Sequence, residues 1–329
     1  MDNMIDYTKG YLNKKILITG SSGYIASAII NELSGIECTL YRMSRSTTEL
    51  HEINNLATIV DVRTDFTDTE GLEDLLSDID IIFHMAAQTS SFVADKNPME
   101  DFASNVRPLV QFLTACERMN VCPSIIFAGT VTEIGLSEIL PVNEKHYEKP
   151  ITVYDIHKLC AEKYLEYYSA MGKVKGCTLR LANVYGPGKK SSSSDRGILN
   201  LMIRKAIDGD ALTVYGEGNY LRDYTYIDDV VNAFLLAAVN IDSLKGGHYI
   251  IGNGESFTIS KVAHLISDRV HLRTEHSVPV DFVSAPSMQS PIETRNFVAD
   301  TYEFTSRTGW HPKYQLQDGI DRTIDLFLR

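Results

Sequence analysis

The sequence predicts an α/β fold: a doubly wound parallel sheet followed by a smaller C-terminal lobe. Three observations carry this reading. Short strand-like apolar runs alternate with helix-like segments through the first half of the chain. The first run ends in a Gly-rich turn that opens directly into a helix pattern. After Asn183 the alternation stops, and Gly, Ser and Pro interrupt short mixed segments. Alternating strands and helices require a sheet covered on both faces, and right-handed crossovers wind it in two directions.

The elements follow in order. Lys15–Thr19 is the first strand, and Ile25–Leu33 the helix that its turn opens. Glu37–Tyr41 and Ile79–Met85 read as further strands. Val106–Met119 is a helix, with Val106, Leu109, Val110, Leu113 and Cys116 at helical spacing. Ser124–Ala128 is strand-like, Thr152–Met171 a long helix, and Cys177–Leu181 another strand. Gly186-Pro187-Gly188 and Ser191–Ser194 read as loop, and prolines at 279, 286, 291 and 312 break the segments that follow.

Composition sets limits. The chain has 329 residues, 44% hydrophobic, 22% charged and 9% aromatic, which is a soluble globular balance. Its apolar runs are too short to cross a bilayer, and its first fifteen residues lack the apolar core of a secretory signal. A net charge of −12 disfavours general contact with nucleic acid or anionic membrane. Cys38, Cys116, Cys122, Cys160 and Cys177 are odd in number and form no CxxC. That argues against a disulfide framework or a zinc ribbon, so we expect no metal site and a reducing cytoplasmic setting.

The turn Thr19–Ala26 has the spacing GxxGxxA between a strand and a helix. Small residues there let a pyrophosphate approach the backbone, and the helix N-terminus supplies N–H groups and positive dipole. Gly20, Ser22 and Gly23 in the turn, with Tyr24 and Ile25 at the helix start, are therefore candidate contacts to a dinucleotide. We expect residues 1–182 to form the dinucleotide-binding domain, with 222–252 returning to it. Residues 183–221 and 253–329 would form the substrate-binding lobe. An acid that ends the second strand usually takes the ribose 2′-hydroxyl of NAD. Here the strand ends Tyr41-Arg42-Met43-Ser44-Arg45, with no carboxylate before Glu49. Arg42 and Arg45 could take a 2′-phosphate instead, or be solvated surface charges. The sequence thus favours NADP, with NAD as the alternative.

Tyr154 and Lys158 stand four apart on the long helix and share one face. An ammonium beside a phenol favours the phenolate and prepares it for proton transfer.

Six segments in this order resemble an extended short-chain dehydrogenase/reductase of the NAD-dependent epimerase/dehydratase, nucleotide-sugar family. They are Thr19–Ala26, His84–Gln88, Asn105-Val106, Tyr154–Lys158, Arg180–Pro187 and Arg222–Asp229. Thr308–Pro312 resembles the family's usual LGWxP ending. The resemblance covers nearly the whole chain from Lys14 and implies a Rossmann-like sheet.

The resemblance also implies roles. Tyr154 would be the proton donor and acceptor, and Lys158 would hold the nicotinamide ribose. Thr130, five residues before Gly135, would hydrogen-bond the reacting sugar oxygen. Asp65 and Phe66 would edge the adenine, Ala86 and Ala87 would lie along the cofactor, and Asn105 would belong to its surroundings. Asn183 would contact a sugar or diphosphate, and Arg222 would clamp a nucleotide diphosphate. Arg295 would be a second clamp. His84, Tyr185 and Trp310 read as packing residues, and Asp228 and Asp229 as a cap and a loop fastener.

The departures bear on the reaction. Sugar dehydratases of this family resemble one another in carrying Thr-Asp-Glu, where this chain has Thr130-Val131-Thr132. Val131 and Thr132 offer no acid or base, and Glu133 on a strand would face away, so dehydration is not expected unless Glu133 is displaced into the site. Two enzymatic readings remain. The sequence leans to an NADPH-dependent reductase of a nucleotide-linked 4-keto, 6-deoxy sugar. The alternative is a nucleotide-sugar 4-epimerase with retained NAD. A non-catalytic dinucleotide-binding regulator is the third class, which the Thr130, Tyr154 and Lys158 set opposes. Leu159, Tyr164, Leu165 and Tyr168 suggest apolar surface beyond what one sheet covers. The family's pairing of such helices then implies a C2 homodimer.

Overall fold

The computed structural model describes residues 7–45, 56–64, 71–188, 197–286 and 290–329. Strand β1 (Lys15–Thr19) leads through the Gly-rich turn into helix α1 (Tyr24–Leu33). Strands β2 (Thr39–Ser44) and β3 (Thr58–Arg63), helix α2 (Leu72–Leu76) and strand β4 (Ile81–His84) follow. Helices α3 (Ser91–Lys96), α4 (Pro98–Asn105) and α5 (Arg107–Met119) precede strand β5 (Ser124–Thr130). Helix α6 (Val153–Ala170), strand β6 (Lys175–Leu181) and the short strand β7 (Asn183–Tyr185) complete the first half.

Then come α7 (Ile198–Ile207), β8 (Leu212–Tyr215), β9 (Leu221–Tyr226), α8 (Ile227–Val239), α9 (Ile241–Leu244) and β10 (His248–Ile251). The chain ends with β11 (Ser256–Thr258), α10 (Ile259–Thr274), β12 (Val280–Val283), α11 (Tyr302–Thr308) and α12 (Leu316–Phe327).

Seven strands form one parallel sheet in the order β3-β2-β1-β4-β5-β6-β10. The doubly wound α/β fold is therefore present. Strands β1, β4, β5 and β6 are buried on both faces, which is why they read as unbroken apolar runs. The strand order reverses at β1, with β2 on one side and β4 on the other. A doubly wound sheet opens a crevice for ligand beyond the strand ends at such a point. Strands β7, β9 and β11 make a separate small sheet, and β8 pairs with β12. Helix α8 packs on α1, so the segment around 227–239 lies on the sheet's own helical layer.

Two expectations need correction. Strand β3 escaped the sequence reading because it is a half-exposed edge, and Thr-Ile-Val-Asp-Val-Arg carries no continuous apolar signal. Leu165 does not contribute free surface; it is buried and packs where Gly176 leaves room for it. Tyr164 is exposed on α6, as the sequence suggests, together with Ile156 and Tyr167, and Met171 is exposed at the helix's C-cap. Among the described residues, no helix is long and apolar enough to cross a membrane.

Candidate active site

The turn after β1 is fixed from three sides. Thr19 Oγ1 accepts the N–H groups of Met85 and Ala86 at 3.1 and 3.0 Å and lies 3.1 Å from His84 Nδ1. These bonds tie the end of β1 to the end of β4. Ser21 N–H donates to Met43 O of β2 at 3.1 Å. Gly20 has φ +63°, and a Cβ there would stand 2.8 Å from Ala86 Cα and 2.9 Å from its nitrogen. A side chain is excluded by backbone on one side and by conformation on the other. Helix α1 begins at Gly23 with no side-chain cap, which leaves its first N–H groups facing the turn. Gly20, Gly23 and Ala86 thus come together, with Ser22 in the same turn, Tyr24 and Ile25 opening α1, and Ala87 next along the chain from Ala86. They form a backbone cradle of the kind that fits a dinucleotide pyrophosphate.

Arg42 is not a free guanidinium. It lies on β2 directly beside Asp61 of β3, and donates from Nε and Nη2 to the two carboxylate oxygens at 2.8 and 2.9 Å. The sequence reading found no carboxylate near Arg42 before Glu49; in space Asp61 is beside it, nineteen residues on. Arg45 is exposed at the end of β2. Asp65 and Phe66 lie outside the described residues.

Asn105 is buried at the end of α4 and donates to Gln88 O at 3.0 Å and to Asp101 at 2.9 Å. It holds the loop after Ala87. Asp101 also accepts from the Gln88 side chain, and its second oxygen meets His157 Nδ1 at 2.6 Å.

Tyr154 and Lys158 are both buried on α6, only 6% and 2% exposed. Lys158 Nζ sits 4.0 Å above the ring of Phe127, the residue of β5 that His84 stacks on. Burial lowers the Lys158 ammonium below the usual lysine range, opposed by Glu133, Asp101 and Glu162. His84 is wholly buried, and burial with the nearby Lys158 charge lowers its imidazole to about 3. It is a neutral packing residue, as the sequence suggested.

Thr130 ends β5 and caps a single 3-10 turn, Val131–Ile134. The conditional reading of Glu133 on a strand is therefore corrected. In the turn its side chain folds back and accepts the Thr130 N–H at 3.1 Å. Its other oxygen lies 3.0 Å from Arg180 Nε of β6. Arg180 also pairs with Glu162 at 2.6 Å and Glu148 at 2.8 Å. Glu133 and Arg180 are completely buried, and burial first, then Glu162, raises the Glu133 carboxyl well above the usual range. Thr130 is joined to α6 by Thr132, whose hydroxyl donates to Asp155 at 2.5 Å. The sequence reading passed over Asp155, and took Thr132 and Glu133 only as offering no acid or base to the reaction. Their signal lay in Thr130 as a cap, Ser/Thr at a turn start followed by an acid three residues on.

Beyond β6, Asn183, Arg222 and Arg295 adjoin. Asn183 donates to Asp223 O at 3.1 Å and accepts from Arg295 Nη2 at 3.3 Å. Arg222 donates to the carbonyls of Leu221, Glu293 and Arg295. Asp229 fastens a loop by accepting the N–H groups of Lys313 and Tyr314, and Trp310 donates to its carbonyl. Tyr24 links the two parts, its hydroxyl donating to Gly186 O at 2.8 Å. A cavity of about 750 Å³ opens elsewhere, around Leu140, Leu221 and Val298–Thr305, and Thr130, Tyr154 and Lys158 do not line it.

Residues 16–252 match the sequence pattern of the NAD dependent epimerase/dehydratase family. A putative UDP-glucose 4-epimerase of Methanocaldococcus jannaschii is 26% identical over 313 residues, spanning 94% of this chain and 97% of that one. The dTDP-4-dehydro-6-deoxyglucose reductase of Escherichia coli is 27% identical over 322 residues, 94% of this chain and 96% of that one. Among solved structures, the Thermus thermophilus UDP-glucose 4-epimerase complex with NAD superposes with a TM-score of 0.80 at 28% identity. It covers 95% of this chain and 99% of that one.

Proposed function

The chain belongs to the NAD dependent epimerase/dehydratase family, and from that premise we propose that it is a nucleotide-sugar 4-epimerase that retains NAD. The observation that carries this reading is the buried set at the end of β5 and the start of α6: Thr130, Tyr154 and Lys158, beside the glycine cradle. The cradle fits a dinucleotide because any Cβ at Gly20 would occupy the space against Ala86. The dinucleotide, when bound, supplies a hydride acceptor and donor. Tyr154 takes the proton of the sugar C4 hydroxyl and later returns one. Lys158 keeps a cation beside that phenol in a dry site, where charge acts strongly. Thr130 hydrogen-bonds the same oxygen. Arg222 and Arg295 supply cationic ends for a diphosphate, with Asn183 beside them. Val131 and Thr132 provide no acid for dehydration. We further assign residues 1–182 and 222–252 to the dinucleotide half, and 183–221 and 253–329 to the substrate lobe.

The Arg42–Asp61 pair favours NAD over NADP, because it occupies the arginine that would hold a 2′-phosphate and sets a negative charge beside it. The second reading is an NADPH-dependent reductase of a 4-keto, 6-deoxy sugar nucleotide, which exposed Arg45 favours. The exposed apolar residues Ile156, Tyr164 and Tyr167 on α6, with Met171 at its C-cap, support a homodimer, and we assign the enzyme to the cytoplasm, where nucleotide sugars are made available.

The test is to denature the purified protein, identify the dinucleotide released, and assay C4 epimerisation of UDP-sugars. Co-purified NAD with epimerisation supports the first reading. Empty protein that oxidises NADPH with a 4-keto sugar nucleotide replaces it with the second. Neither activity, with no dinucleotide affinity, overturns both.

A further inference from the structure

We propose that Phe127 is a positioning residue: the face of its ring holds the ammonium of Lys158 in place and keeps it charged for the reaction. This rests on the reading above, in which that ammonium serves Tyr154.

Lys158 Nζ lies 4.0 Å from the centroid of the Phe127 ring. An aromatic face is electron-rich and attracts a cation, most strongly where water is excluded. Both side chains are buried, Phe127 completely. Three carboxylates also favour the charged lysine: Glu133, Asp101 and Glu162. Each is bonded elsewhere. Glu133 and Glu162 lie 3.0 and 2.6 Å from nitrogens of Arg180. Asp101 accepts from Gln88 and Asn105, and meets His157 at 2.6 Å. The ring is the group in contact with the ammonium itself.

The ring is held from behind. His84 is its register partner on β4, with ring centroids 5.8 Å apart and planes 28° from parallel. Phe112 meets His84 edge-on at 5.6 Å. Thr19 Oγ1 accepts two N–H groups, from Met85 and Ala86, which fills both its lone pairs. Its own hydrogen therefore goes to His84 Nδ1 at 3.1 Å. A row of buried side chains, Thr19, His84, Phe127 and Lys158, thus joins the Gly-rich turn to the lysine.

Burial drives the ammonium the other way, lowering it to about 8. A neutral amine gives a phenolate no charge to stand beside. The groups that bear on Lys158 are the three carboxylates, Arg180 through two of them, His84 and Tyr154. His84 stays neutral, since burial and the lysine charge lower it to about 3, so it sets no second cation there. Phe127 has no proton to gain or lose, so its attraction is the same at every pH.

The test places mono-, di- and trifluorinated phenylalanine at position 127 of the full chain, beside Phe127→Leu. Fluorine withdraws charge from the ring face and nearly preserves its shape. Carbon-13 NMR of lysine labelled at Cε follows Lys158, whose signal is identified by its loss in Lys158→Arg. The Lys158 titration should fall stepwise with each fluorine, and by about one pH unit in Phe127→Leu. Where leucine disturbs the fold, the fluorinated series decides. A ring that only fills space leaves the titration unmoved through that series, which overturns the proposal and leaves the functional reading standing.

A second arm follows turnover of the sugar nucleotide. The alkaline limb of kcat should move to lower pH by the same steps, because the lysine loses its charge sooner, with KM within about twofold. A titration that falls while the alkaline limb stays overturns the reading of Lys158 as the cation of the reaction, and the role of Phe127 with it. A titration that falls in a protein that turns over no sugar nucleotide overturns the functional reading and that role together.

Discussion

Arg42 on β2 forms a two-bond ion pair with Asp61 on β3, at 2.8 and 2.9 Å, with the arginine buried and the acid half-exposed. The pair sits where a dinucleotide-binding sheet usually presents its ribose-reading residue. Asp61→Asn removes the negative charge and loosens the guanidinium. The NADP-to-NAD affinity ratio should rise about tenfold, because a phosphate can then meet Arg42 through charge-assisted bonds. Stability should fall by about 1–2 kcal/mol, since a buried guanidinium loses a partner. Titrating both dinucleotides into the variant, alongside urea unfolding, checks both effects. A ratio that stays put would remove Arg42 from cofactor selection.

Tyr154→Phe removes one hydroxyl from a buried side chain of α6. Turnover should fall about 10²- to 10⁴-fold, the usual range for a lost proton-transfer group. Dinucleotide affinity should stay within about twofold. Kinetics and a binding titration on the same preparation separate a catalytic loss from a folding loss. A regulator that merely binds dinucleotide would show neither change.

Gly20→Ala tests the cradle. The added methyl meets the Ala86 backbone at 2.8 Å, on a residue with φ +63°. Neither neighbour is a flexible side-chain end, so the turn must shift. Dinucleotide affinity should drop at least about tenfold, with about 1–3 kcal/mol lost in stability from the backbone conformation. Stopped-flow or fluorescence titration gives the first number and thermal unfolding the second.

His84 sets an acid limit. It is wholly buried, with its imidazole lowered to about 3, while an unfolded histidine takes its proton near 6.5. Between those values the unfolded chain binds the extra proton. The contribution of His84 is therefore complete above pH 6.5 and is lost as pH falls toward 3, at about 1.4 kcal/mol per pH unit. His84→Asn keeps a partner for Thr19 and abolishes the titration. Between pH 6.5 and 5.0, urea unfolding of the natural chain should weaken by about 2 kcal/mol more than that of the variant. Parallel slopes would mean that His84 protonates without unfolding.

What was legible in the sequence had local causes. Strands β1, β4, β5 and β6 are buried on both faces, so each is a continuous apolar word. Tyr154 and Lys158 are four apart on one helix, a distance a reader can count. What was not legible arose from pairing between distant segments. Asp61 meets Arg42 because two edge strands align in a register that puts them opposite one another. Glu133 turned inward because Thr130 caps a 3-10 turn rather than continuing β5. Leu165 was read as free surface, yet the absence of a side chain at Gly176 of β6 makes room for it.

The most demanding of these distant pairings is the cluster around Arg180. One guanidinium, completely buried, compensates Glu133 and Glu162 and reaches Glu148. Replacing a whole buried ion cluster with apolar side chains is often neutral, whereas removing one partner strands the others. Arg180→Met should therefore destabilise the protein by about 3–5 kcal/mol, because two buried carboxylates lose their cation. Arg180→Lys should recover only part of this, since an ammonium cannot serve Glu162 and Glu133 with the fork geometry of Arg180. The double variant Arg180→Met with Glu133→Gln should recover more than either change alone predicts, because the amide still accepts the Thr130 N–H without a buried charge. A double-mutant cycle by urea unfolding reads the coupling directly. Simple additivity would show that Glu133 is neutral in the fold and that Thr130 is held in place without an ion pair.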